Sequence, residues 1–191
     1  MIAAFFVSCA IRIVFADHAI QVEQYVPAPI IEKEILPPEY ARPAMSGENI
    51  PMSEELWRYL RKGLNYVEAS GEEYPPEFLH PGGVAYGPLA LTPIAVKDVA
   101  QHYIDLSRYT FSDVLSDPEI YEDFARHYAD LLLRHYLGLA YWNMPAEDVF
   151  AILQKAWFLG PGLYKEGLSV PDSRETHAAE FMETTPSPLT T

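Results

Sequence analysis

Apolar residues recur at helical spacing through the middle of the chain, and Gly- and Pro-rich stretches interrupt them. Leu56, Tyr59, Leu60, Leu64 and Val67 follow one another at the period of a single helix face. Ser53 with Glu54 and Glu55 opens that helix, because serine caps free N–H groups and acids favour the positive end of the macrodipole. The pattern predicts a helix to Glu68 or Ala69. Residues 71–90 contain Pro75, Pro76, Pro81, Gly82, Gly83, Gly87 and Pro88, which predicts a loop. Thr92 then Pro93 is a cap followed by proline at the first helical position, and Ile94, Val96, Val99 and Ala100 continue that second helix.

Asp117 then Pro118 repeats the start signal. Ile120, Phe124, Ala125, Tyr128, Leu131, Leu132, Tyr136 and Leu139 then predict a long helix from 118 to about 139, with Gly138 near its end. Pro145, Glu147 and Asp148 open a last helix through Val149, Ile152, Leu153, Ala156 and Trp157, which stops at Gly160, Pro161 and Gly162. No strong strand alternation occurs. The expected fold class is all-α: a compact helical domain over 54–170 with one Gly/Pro-rich loop.

The flanks differ from this core. Met1 to Phe15 is apolar apart from Ser8, Cys9 and Arg12, and predicts a secretory signal peptide over 1–19, cleaved after Ala16 or Ala19. The run is shorter than the ~20 residues that span a bilayer, so no stable transmembrane span is expected. A periplasmic or extracellular location follows. Residues 20–53 carry Pro27, Pro29, Pro37, Pro38, Pro43 and Pro51 and predict an extended arm, a candidate docking element for an envelope protein partner. Residues 171–191 are polar, end in ETTPSPLTT, and are expected to form a flexible, frayed tail.

Composition narrows the function classes. The 191 residues include 13 Lys+Arg and 27 Asp+Glu, a formal net charge of -14. No nucleic-acid partner is expected, because that needs a basic face. An apolar fraction of 49% is enough for one folded core. Cys9 is the only cysteine, so no intrachain disulfide, zinc finger or iron–sulfur site is expected. No H-E-x-x-H spacing and no phosphate-binding glycine motif occurs, so neither a metal nor another cofactor is expected. His102, His127 and His135 sit on predicted helices, where Arg126 and His127 have Asp123 and Asp130 within i,i+4 reach.

Glu68 stands out by position. It closes a helix just before the Gly/Pro-rich loop, in V-E-A-S-G. Glycosidic cleavage needs a carboxylic acid beside the leaving-group oxygen, and apolar surroundings favour the protonated state such an acid needs. A solvated helix-end glutamate is the plain alternative.

The wider pattern resembles the lysozyme-like fold of soluble lytic transglycosylases and goose-type lysozymes. Three blocks occur in family order over roughly residues 54–167. The first is a helix-terminal Glu with Ser directly after it, here Glu68 with Ser70 one place later than the usual serine. The second resembles G-x-x-G-L-M-Q-x-T-P-x-x-A, echoed by Gly87, Leu91, Thr92, Pro93 and Ala95. The third resembles A-Y-N-x-G-P-G, echoed by Ala156, Trp157, Gly160, Pro161 and Gly162. Asp117 and Pro118 match the start of a further D-P-x-x-N-I block.

The chain also departs from that pattern. Ala90 stands in place of the glutamine, Trp157 and Phe158 replace the Tyr-Asn pair, and Tyr121 replaces the Asn of the Asp-Pro block. Losing such donors removes contacts to a glycan. The resemblance therefore implies either a divergent lytic transglycosylase or a catalytically inactive relative that binds glycan or a protein partner.

In the active case the resemblance implies Glu68 as general acid and then base on a peptidoglycan glycan strand, yielding a 1,6-anhydromuramyl product. Ser70, Tyr86, Trp157, Glu73 and His80 are the candidate substrate-binding residues. An inverting hydrolase would need a second carboxylate, for which Glu72, Glu73 and Glu77 on the loop are candidates. The expected test of the site is geometric: Glu68 should face a groove lined by Trp157 and Tyr86.

Overall fold

A computed structural model describes residues 52–165 and 168–188. The expected leader at 1–19 and the Pro-rich arm, apart from its last residues, lie outside the described residues. The described chain is helical. Helices α1 (Glu54–Ala69), α2 (Pro93–His102), α3 (Phe111–Ser116) and α4 (Pro118–Leu137) lead through a 3-10 turn (Gly138–Asn143) to α5 (Ala146–Lys165) and α6 (Asp172–Thr184). Among the described residues there is no strand, only isolated bridges of Tyr86 with Leu79 and Leu91. The expected all-α class holds.

The helix starts follow their caps. The Ser53 side chain accepts from the Leu56 N–H at 3.1 Å, a cap worth about 1 kcal/mol. Thr92 accepts from Ala95, and Asp117 from Glu119 and Ile120, each ahead of a proline at the start of the helix. Helix α3 was not expected. It begins with a capping box in which Thr110 and Asp113 satisfy each other's backbone N–H groups.

Helix α4 is central: α2, α3 and α5 pack on it, while α1 packs on α5 and α6. Leu56, Tyr59, Leu60 and Leu64 of α1, Val96 and Val99 of α2, Phe124, Tyr128 and Leu132 of α4, and Val149, Phe150 and Leu153 of α5 form one core. Each such side chain contributes about 1.5–3 kcal/mol by leaving water. Close approach is built in at Gly63, where an added Cβ would lie 2.5 Å from the Phe150 ring and 2.7 Å from the Phe181 ring.

Two boundaries differ from expectation. The last predicted helix was to end at Gly160. That glycine does break the helix, at φ 71 and ψ 171, but a further helical segment continues to Lys165. The polar segment expected to fray instead forms α6. Arg174, Ala178 and Phe181 are its buried residues and share one face. Phe181 packs against Tyr59 and Phe150, with ring centroids 5.2 and 5.0 Å away. These apolar contacts, with Met182 also packed on the core, outweigh the polar composition of the other positions. No helix among the described residues is long and apolar enough to cross a membrane.

Candidate functional site

The end of α1 and the loop after it are locked together. Ser70 takes a left-handed conformation (φ 53) as the C-cap, and its N–H donates to the carbonyl of Asn65. Gly71 follows with φ 78 and donates to the same carbonyl at 3.2 Å. Asn65 is itself buried, and its amide donates to the carbonyls of Glu72 at 2.7 Å and Pro88 at 3.4 Å. One asparagine, a turn before Glu68, thus ties both ends of the loop to α1.

The loop has its own scaffold. The rings of Tyr74 and Phe78 stack with centroids 4.0 Å apart, and His80 meets both edge-on. His80 Nε2 lies 2.7 Å from the carbonyl of Gly87, and since a carbonyl only accepts, Nε2 carries the proton. Gly87 has φ +70, and a Cβ there would lie 2.7 Å from the Tyr121 ring. Only glycine fits. Ala90 occupies the left-handed region at φ 52.

Tyr121 of α4 is the central pin of this loop. Its hydroxyl donates to the carbonyl of Tyr86 at 2.8 Å and accepts from the Leu89 N–H at 3.2 Å. Burial raises its phenol above the ordinary value, the backbone bonds at Leu89 and Leu91 oppose this, and the negative charges of Glu122 and Glu68 add to the rise. From the other side the indole of Trp157 donates to the carbonyl of Leu89 at 2.8 Å. Trp157 is buried and meets Tyr128 edge-on with centroids 5.1 Å apart. Tyr86 packs edge-on against Phe111 at 5.3 Å.

Glu68 meets a residue that the sequence reading did not anticipate. Arg174 of α6 places Nη2 2.6 Å from Oε1 of Glu68, with side-chain exposures of 7% and 12%. The contact is an ion pair rather than an aligned hydrogen bond. The same guanidinium donates to the backbone carbonyl of Gln154 at 2.8 and 3.1 Å and to its side-chain oxygen at 3.2 Å. Its Cζ lies 5.0 Å from the ring centroid of Phe158. Phe158 thus supplies a flat face for a cation.

Ser70 is exposed at the cap. Glu73 is held by Arg61 through two bonds, at 3.1 and 3.2 Å. Arg61 also donates to Glu122 at 3.0 Å, and Glu122 accepts from Trp57 at 2.9 Å. The structure therefore brings the end of α1, the loop and Trp157 together around Leu89. Glu68 itself faces Arg174. Trp157 holds the loop at Leu89, and Tyr86 is held at its carbonyl by Tyr121 and at its ring by Phe111. An open depression of about 460 Å³ lies elsewhere, against Glu77, Ser112, Leu115 and Ser116.

A second polar cluster lies in the core. Asp130 is fully buried and accepts from the hydroxyls of Tyr103, at 2.6 Å, and Tyr141, while Arg134 Nε lies 2.7 Å away. Burial raises both phenols, the charge of Asp130 adds to it, and Arg134 opposes it. The cluster joins α2, α4 and the 3-10 turn. The i,i+4 partner of Asp130 is Arg134, whereas Arg126 pairs with Glu54 at 3.0 Å. His102 and His127 each place Nδ1 2.7 Å from the carbonyl four residues earlier. No group of three or more metal-ligating side chains occurs among the described residues.

Arg174 and Asn65 were missed in the sequence. A signal existed for the first: acids at Asp172 and Glu175 after Pro171, and an inward face at 174, 178 and 181. Comparison with family models, curated proteins and solved structures gave no match to this chain.

Proposed function

We propose that residues 54–167 are a divergent lysozyme-like domain that cleaves peptidoglycan glycan as a lytic transglycosylase outside the cytoplasm, with Glu68 as its general acid and base. One observation carries this reading. The three separated segments that resemble the family blocks meet around Leu89. Asn65, a turn before Glu68, reaches Pro88, Tyr121 bridges Tyr86 and Leu89, and Trp157 reaches Leu89 from α5.

In this reaction the Glu68 carboxyl gives its proton to the oxygen between N-acetylmuramic acid and N-acetylglucosamine, and the C1–O bond breaks. The resulting carboxylate takes the proton of the muramyl C6 hydroxyl, whose oxygen bonds to C1. A 1,6-anhydro end results without water, so no second carboxylate is needed. Inverting hydrolysis would need a second carboxylate free to activate water, and of the three loop candidates Glu73 is paired with Arg61.

The test is purified peptidoglycan incubated with the full chain, with products read by mass spectrometry. Anhydro-ended fragments are expected, and Glu68→Gln should abolish them while glycan binding persists. Binding without any product would overturn the enzyme. The ion pair of Glu68 with Arg174 favours a second reading, an inactive lysozyme-like protein that holds glycan or an envelope partner.

A further inference from the structure

We propose that α6 is an autoinhibitory strap: Arg174 occupies the face of Glu68 that a sugar must reach, and glycan displaces the first turn of α6 to gain it. This rests on the Glu68 reading above. Proton transfer requires the leaving-group oxygen within hydrogen-bond reach of the carboxyl. Oε1 of Glu68 is buried with Arg174 Nη2 2.6 Å from it. No sugar oxygen fits between them.

The strap is built unevenly. Its rear half is seated chiefly by apolar contact, through Ala178 and through Phe181 against Tyr59 and Phe150, with one exposed bond from the Tyr66 hydroxyl to Glu180 at 3.3 Å. Its front half is held by polar contacts: Arg174 on Glu68, Gln154 and Phe158, and Lys155 on Glu175 at 2.7 Å. The first turn also lacks a side-chain cap, since its N-cap is Pro171. Frontal release gives up the buried Glu68 pair and the bonds to Gln154, so glycan must replace them, while Phe181 stays seated as the hinge. Phe158 belongs to the same device. It stands where the resembling pattern has an asparagine, and its ring braces the guanidinium that covers the acid.

An oligosaccharide has the groups to compete. Its hydroxyl and acetamido donors can satisfy the carboxylate, and the pyranose face can replace the guanidinium over Phe158.

The experiment compares full-length protein with Arg174→Met and Arg174→Ala, each with and without Glu68→Gln, for release of anhydro-ended fragments from peptidoglycan sacculi. A positioned general acid contributes about 10²–10⁴-fold, so uncovering it should speed release about tenfold or more in Arg174→Met. Amide hydrogen exchange across 172–176 in unaltered protein should quicken when a GlcNAc–MurNAc tetrasaccharide is added, whatever the variants' stability. Equal rates with and without Arg174, abolished by Glu68→Gln and with α6 exchange unchanged, would overturn the strap and leave the enzyme standing. A slower Arg174→Met of unchanged melting temperature would also overturn it, making Arg174 a helper of Glu68. Failure of every form to release fragments, with no exchange response, would overturn the enzyme and the strap together.

Discussion

Trp157 donates its indole N–H to the carbonyl of Leu89 at 2.8 Å, and so fastens the loop after α1 to α5 from below. Tyr121 fastens the neighbouring peptide groups from α4. The loop that carries the candidate chemistry is thus held by two aromatic side chains acting through their polar ends, which suits residues that are apolar in body and polar at the tip.

Tyr121→Phe keeps the ring but leaves the buried Leu89 N–H without its acceptor. An unsatisfied buried donor costs about 1–3 kcal/mol. Urea unfolding should show that loss, and a change near zero would mean that the hydroxyl does not hold the loop. Gly87→Ala should cost at least as much, because it adds a Cβ at φ +70, 2.7 Å from the Tyr121 ring.

The helix starts were legible because each has a local cause. Ser53, Thr92 and Asp117 cap, and Pro93 and Pro118 begin helices without losing a bond. The capping box of α3 was equally local but lies in a six-residue helix with one buried residue, too short for a periodic pattern. Helix α6 was hidden for another reason. Its inward face is one arginine, one alanine and one phenylalanine, so its burial depends on partners in α5 and, more than a hundred residues earlier, in α1. The prominence of Glu68 was visible from its place before the loop. Its partner was not, since no local rule links 68 to 174.

Asp130→Asn should be the most damaging of the conservative changes. It removes the negative charge beside the buried Arg134. Breaking one half of a buried pair typically costs about 3–5 kcal/mol. Chemical denaturation reads this directly, and a loss under about 1 kcal/mol would show that the pair is dispensable.

Gly63→Ala forces a methyl to within 2.5–2.7 Å of the Phe150 and Phe181 rings. Overpacking of this kind costs about 1–3 kcal/mol. Because Phe181 seats α6, its amides should exchange faster while those of α4 keep their protection. Uniform acceleration across both helices would sink this account.

Alkali should act through buried tyrosines. Burial, with the charge of Glu147 adding, pushes the Tyr59 phenol from 10.0 up to about 12. Tyr103, Tyr121, Tyr128 and Tyr141 are also raised, with burial the leading cause. The folded state keeps protons that the unfolded chain has released. The stability from Tyr59 is therefore intact below pH 10 and lost by about pH 12. Melting temperature should fall across that interval, less steeply in Tyr59→Phe. Phenolate absorbance growing there with full helicity retained would contradict this.

Glu73→Gln tests whether the loop carboxylate has a chemical role. Its partner Arg61 is only partly buried and Glu73 is largely exposed, so stability should change by less than about 1 kcal/mol. Release of anhydro-ended fragments should be unaffected. Loss of release in a stable variant would assign Glu73 to the reaction.

The uneven seating of α6 means that its two halves answer to different solvent conditions. Added electrolyte screens the partly exposed Lys155–Glu175 pair and acts less on Arg174, which is buried. Sulfate strengthens apolar contact and tightens the seat of Phe181, while cooling weakens it. Ionic strength therefore acts on the front of the helix mainly through Lys155 and Glu175, whereas temperature acts on the apolar seat at its rear, so the two ends of thirteen residues differ in what loosens them.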